Sequence, residues 1–231
     1  MHKIDISNEM LKRGKGREGQ PLYSRLNGPA TALVVIDLQN MFMLPEMPLE
    51  VPVARAIVPN VNRLAQAVRD AGGAVVWVQM TSDDNFDGWT RWYDRAPPDR
   101  RDEVLRQLKR GEYGHALHAE LDVWRDDLKI EKTRFSAFIQ GASGLDRALR
   151  ARGIDTVIVT GTLTNVCCES TARDAMMLNY RTIMVSDATA TLADEVHNAT
   201  LANILGYFGD VRSTDELVAE FAADDRKAAA S

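Results

Sequence analysis

The sequence predicts an α/β protein, a three-layer sandwich in which helices flank a mostly parallel central sheet. Three observations carry that reading. Short apolar runs rich in β-branched residues recur along the chain, as at 31–36 (TALVVI), 74–79 (AVVWVQ) and 154–160 (IDTVIVT). Continuous apolar character suits strands buried on both faces, as in a parallel sheet. Helical stretches separate these runs, and such alternation packs helices against a sheet. Between 154 and 180 one strand breaks at Gly161 and a helix follows, with Cys168, Ala172, Ala175 and Met176 on one stripe.

The elements follow in order. Residues 1–29 are polar and rich in Gly, Lys and Arg, and read as an extended arm with little core of its own. It would wrap a neighbouring subunit or stay loose. Strand 31–36 ends at Asp37, where the crevice of an open α/β sheet lies, although an Asp there also suits a turn or helix cap. Residues 40–52 read as a loop over the sheet edge. Residues 53–71 carry Ile57, Val61, Leu64 and Val68 at helical spacing and end at Gly72 and Gly73. Strand 74–79 leads into a polar insertion, 81–110, holding Phe86, Trp89, Trp92 and Tyr93. An insertion of that size is usually functional. These rings either roof a pocket or pack as a short amphipathic helix.

Residues 128–131 form a short strand, and Lys132 leaves it. Helix 144–152 leads to the central strand and turn. Strand 181–186, helix 190–207, an edge strand at 209–212 and helix 214–222 complete a single domain, 30–222. The tail 223–231 reads as disordered.

The two cysteines read differently. Cys168 lies on the apolar stripe and reads as core. Cys167 points about 100° away, near a helix N-terminus where the dipole favours an anion. A thiol so placed drops from about 8.5 into a range of roughly 3.5–7.5 and becomes a nucleophile. A structural cysteine is the alternative.

Composition is that of a soluble globular chain: 231 residues, 45% hydrophobic, 26% charged, net charge −5. There is no basic tract for nucleic acid and no apolar run long enough for a membrane span, and with no apolar h-region in the first residues no secretory signal is expected. Two adjacent cysteines make no disulfide framework, so a cytoplasmic home is expected.

The segments VVIDLQNMF, EKTRFSAF and VTGTLTNVCCESTARDA resemble those of the isochorismatase-like cysteine hydrolases, over roughly residues 30–217. The resemblance implies a catalytic triad of Asp37, Lys132 and Cys167. It also implies a cis Thr162–Leu163 peptide and an oxyanion hole built from the backbone N–H groups of Leu163 and Cys167. It implies no cofactor and a homo-oligomer, a dimer or tetramer. The nicotinamidase branch carries a metal site with an Asp-x-His pattern after the first strand. Here no His lies between His2 and His115, so no metal is expected. Isochorismatases proper lack the cysteine. The TNVCCESTARDA segment is most similar to ureidoacrylate and N-carbamoyl amidohydrolases, which implies a small amide, ureido or carbamoyl substrate. Arg134 suits a carboxylate clamp, or is a surface charge. Gln39, Asn40, Phe42, Trp89, Trp92, Tyr93 and Phe138 are the other candidates for the pocket wall. Two other readings stand beside this one: non-covalent hydrolysis using Asp37 alone, and an inactive binding module of the same fold.

Overall fold

Strands made wholly of apolar and β-branched residues have no solvent face, so each must be covered on both sides. A computed structural model describes residues 1–14, 21–82, 89–94 and 97–228. Within them a six-stranded sheet comprises β1 (Thr31–Ile36), β2 (Ala74–Met80), β3 (Leu128–Lys132), β4 (Thr156–Thr162), β5 (Arg181–Ala190) and β6 (Asp210–Arg212). Its order is β3-β2-β1-β4-β5-β6, and all five pairings are parallel. The helices are α1 (Asn8–Arg13), α2 (Asn40–Met43), α3 (Val58–Asp70), α4 (Thr90–Tyr93) and α5 (Pro98–Gln107). They continue with α6 (Leu145–Arg150), α7 (Glu169–Met177), α8 (Asp194–Asn203) and α9 (Thr214–Ala228).

The period of two along each strand divides the interior into two cores. Leu33 and Val35 of β1 pack with Trp77, Ile183, α3 (Val61, Leu64, Val68) and α9 (Leu217, Phe221). Ala32, Val34 and Ile36 pack with Val157, Val159 and Met184 beneath α6, α7 and α8 (Leu149, Ala172, Ala175, Leu201). The order reverses between β1 and β4. Their carboxyl ends form the switch point where open sheets of this kind place a crevice.

Several expected boundaries shift for physical reasons. β5 continues to Ala190 because Thr189 and Ala190 still pair with Gly161 and Thr162, so the next helix begins only at Asp194. A 3-10 turn, Pro52–Ile57, precedes α3 in place of one continuous helix. The insertion 81–110 contains α4 and α5. The arm is not simply extended. Ser7 caps α1 by accepting from Met10 N–H, and Leu26, 2% exposed, enters the first core. α9 runs to Ala228, so the expected tail is helical over 223–228, while 229–231 and Phe86 lie outside the described residues. Among the described residues no helix is long and apolar enough to cross a membrane.

Gly161 sits in β4 at φ +109°, where a Cβ would overlap the Ile36 carbonyl oxygen on β1. Strand contact and left-handed backbone both demand glycine there. Gly161→Ala is expected to cost about 3 kcal/mol or more of stability. Urea unfolding checks it, and a midpoint within error of the parent's would refute the close approach.

Candidate active site

Asp37 leaves β1 with φ +52°, a left-handed conformation that Asp tolerates but most residues avoid. Its N–H donates to Val78 O at 2.9 Å, which pins the turn to β2. Lys132 is the last residue of β3, at the sheet edge. Its side chain reaches back along the strand ends. Both side chains are fully buried, and Lys132 Nζ lies 2.8 Å from Asp37 Oδ2. Lys132 Nζ also donates to Arg134 O at 3.1 Å and contacts Cys167 Sγ at 3.5 Å and Met80 Sδ at 3.5 Å. The Asp37 carboxylate is held by this ion pair, and Lys132 and the Cys167 thiol both bear on it as hydrogen-bond donors.

Cys167 occupies a π-helical turn, Thr164–Cys168, between β4 and α7. The Thr162–Leu163 peptide is cis. The N–H groups of Val166 and Cys168 both donate to Leu163 O, each at 3.1 Å. No group among the described residues accepts from the Leu163 N–H. Cys168 is fully buried in the second core, its thiol directed at Thr160 O at 3.7 Å.

Electrostatics overturn one expectation. Burial pushes the Cys167 thiol well up, and the negative charge of Asp37 adds to the rise while Lys132 opposes it. The helix-terminus argument assumed a partly exposed thiol, but Cys167 is only 4% exposed, and desolvation wins. Burial also raises Asp37, with Lys132 pulling it down. Burial works to lower Lys132, but the Asp37 carboxylate beside it more than offsets that, so Lys132 is raised and stays cationic.

The family model described as Isochorismatase domain matches residues 31–216. The chain belongs to the isochorismatase family. Ureidoacrylate amidohydrolase RutB of Variovorax paradoxus (strain S110) is 33% identical over 215 residues, spanning 85% of this chain and 83% of that protein. A cysteine hydrolase from Pseudomonas syringae pv. phaseolicola 1448A shares the fold with a TM-score of 0.77 and 32% identity, over 86% of this chain and 95% of that one. N-carbamoylsarcosine amidase from Thermoplasma acidophilum does so with a TM-score of 0.64 and 30% identity, over 80% and 96%. As a member of the isochorismatase family, the chain is a hydrolase.

In this isochorismatase-family chain a cavity of about 440 Å³ opens onto Cys167. Of the expected wall residues, Phe42 and Trp92 line it. Trp89 stands behind them, stacked on Trp92 at 5.8 Å and edge-on to Phe135 at 4.7 Å. The Tyr93 side chain lies outside the described residues. Four other expected wall residues are not among those lining this cavity and have partners elsewhere. Gln39 is a structural clamp: its amide donates to Met80 O and His115 O and accepts from Met80 N–H, all within 3.0 Å. Asn40 donates to Tyr113 O at 3.0 Å and holds the neighbouring loop. Phe138 packs on Tyr180 in the second core. Arg134 covers the Trp89 ring at 5.2 Å and donates to Thr133 O, so it braces the aromatic cluster. Sequence reading missed Arg100 and Glu50, which line the cavity with Met80, Leu108, Phe135 and Leu192. Arg100 had a visible signal, a cation in the aromatic insertion; Leu192 had none.

The raised thiol has a measurable consequence. The ultraviolet difference at 240 nm between the parent and Cys167→Ala is expected to show no thiolate at pH 7. A thiolate band already present at pH 7 would mean that burial does not dominate.

Proposed function

We propose that this chain is a cysteine-dependent amidohydrolase that cleaves the C–N bond of a small amide, ureido or N-carbamoyl substrate through a thioester. One observation carries the reading: a thiol, a carboxylate and an ammonium group meet in the interior, and the thiol lines a cavity. Asp37 takes the Cys167 proton as the sulfur attacks the carbonyl carbon. Negative charge moves from carboxylate to sulfur, and Lys132 stabilises it in either place. The N–H groups of Leu163 and Cys167 receive the oxyanion, each donor worth about 2.7–4 kcal/mol in comparable sites. Asp37 returns the proton to the departing nitrogen as the C–N bond breaks. Water then gives a proton to Asp37 and attacks the thioester. The acid leaves, and the proton on Asp37 passes back to sulfur.

The relatives named for ureidoacrylate and N-carbamoylsarcosine support the ureido and carbamoyl classes. The cavity adds a preference for an apolar body, since Phe42, Leu49, Met80, Trp92, Leu108 and Phe135 line it. Glu50 is neutralised by Arg55 at 2.8 Å. Arg100 is exposed at the rim and donates to Pro48 O, where its remaining donors suit an anionic substrate group.

A screen for ammonia release against ureidoacrylate, N-carbamoyl amino acids, biuret and simple amides tests the proposal. Cys167→Ser is expected to abolish turnover with the melting temperature unchanged, and Cys168→Ser to keep most of it. Equal loss in both would sink the assignment of the nucleophile. Activity should also need Asp37 ionised. Because burial raises its pKa, kcat/KM is expected to fall on acidification at a pH above the ordinary carboxylate range. An acid limb at or below pH 4 would remove Asp37 from the role of base.

A further inference from the structure

The N-terminal segment, residues 1–6, lies along α8, and its histidine is 3% exposed in the side chain. Two hydrogen bonds fix that ring. His2 Nε2 accepts from Thr191 N–H at 2.9 Å, so the proton sits on Nδ1, which donates to Asp194 Oδ1 at 2.7 Å. Backbone ties hold the residues that follow: Lys3 O accepts from Asn198 Nδ2 at 2.8 Å, and Asp5 N–H donates to Asn198 Oδ1 at 2.7 Å.

From His2 two routes run to the turn that carries Cys167. In the first, the His2 ring stacks on His197, with centroids 4.3 Å apart and planes 21° apart. His197 is fully buried. Its Nε2 donates to Ser186 O at 3.0 Å, which leaves Nδ1 to accept from the Thr164 hydroxyl at 2.9 Å. Burial lowers the His197 pKa to about 4, so this acceptor persists at neutral pH. The second route passes through Thr191, whose hydroxyl donates to Asn165 Oδ1 at 2.6 Å. Thr164 and Asn165 are the two residues that follow Leu163.

We infer that His2 is a positioning residue for catalysis: the N-terminal segment, through His197 and Thr191, fixes the 163–167 turn so that its N–H groups meet the oxyanion. The inference rests on the amidohydrolase reading above. A merely structural role makes a different prediction, because the two sulfur reactions available to Cys167 differ in what they need. Amide hydrolysis passes through an oxyanion and depends on the aim of those N–H groups. Alkylation by iodoacetamide builds no oxyanion and depends on the thiol, Asp37 and Lys132 alone. Sub-ångström loosening of the turn therefore costs the first reaction and spares the second.

The test uses the full chain and the best amide substrate from the screen. His2→Phe keeps the ring stack and removes both hydrogen bonds, while His2→Gln keeps an acceptor and a donor at nearly the same spacing. For His2→Phe, kcat should fall about tenfold or more, with KM and the alkylation rate of Cys167 within about twofold of the parent. His2→Gln, which restores the hydrogen bonds without the ring, should recover the part of the lost kcat that runs through Thr191. Unchanged kcat in His2→Phe would overturn the inference, as would a parallel fall in kcat and alkylation. A parent that alkylates at Cys167 but releases no amine from any substrate would instead defeat the amidohydrolase reading.

Discussion

Everything at this site depends on the cost of burying charge. A carboxylate and an ammonium group lie fully inside the protein at Asp37 and Lys132, and each loses several kcal/mol of hydration that only close pairing returns. The pair is neutral as a unit. A resting thiolate would add a third, uncompensated charge to the same dry volume, which is why the Cys167 proton stays on sulfur. In the mechanism proposed above, proton transfer from Cys167 to Asp37 relocates the charge without creating any, and Lys132 neutralises the cluster before and after.

The sheet supplies the geometry that makes such a pair possible. β1 and β4 lie side by side where the strand order reverses, so Asp37 and the Cys167 turn start as neighbours. Lys132 starts two strands away from Asp37 and spans the distance with its long stem. Three backbone features sharpen the arrangement: the left-handed Asp37, the close approach of Gly161 to β1, and the π-helical turn beneath α7. Sparsely populated backbone conformations cost free energy and persist where the surrounding structure over-determines them. The parallel core on both faces of the sheet provides that constraint here.

The pocket has a different origin from the Asp37–Lys132–Cys167 cluster. Its floor belongs to the sheet, but its walls come from segments scattered between Phe42 and Leu192. Gln39 and Asn40 do not face substrate; they tie the loop after β1 to the 113–116 segment. The aromatic insertion contributes Trp92 directly and Trp89 as backing. The N-terminal segment reaches the site from the opposite side, against α8 and the 191–194 loop. The N-terminal segment thus connects to the Cys167 turn through Thr191 and His197, although His2 and Cys167 lie 165 positions apart in sequence.

The sequence by itself determined the class of fold, because apolar β-branched runs have no stable home except a covered sheet. It determined the separation of the two cysteines too, since helical phase puts Cys168 on the buried stripe. Asp37, Lys132 and Cys167 could be singled out from local pattern and family resemblance. Their protonation could not, because desolvation depends on every atom packed around them, and a helix terminus judged without its surroundings predicts the wrong direction. The pocket wall was legible only where an aromatic cluster marked it. Gln39, Asn40, Arg134 and Phe138 look like wall residues by proximity in sequence to the motif, yet their side chains turn to backbone carbonyls or rings. His2 reads as one polar residue of an arm. Only the tertiary structure, by stacking it on His197, connects it to the site, because contacts between residues far apart in sequence are set by packing and leave no local signature.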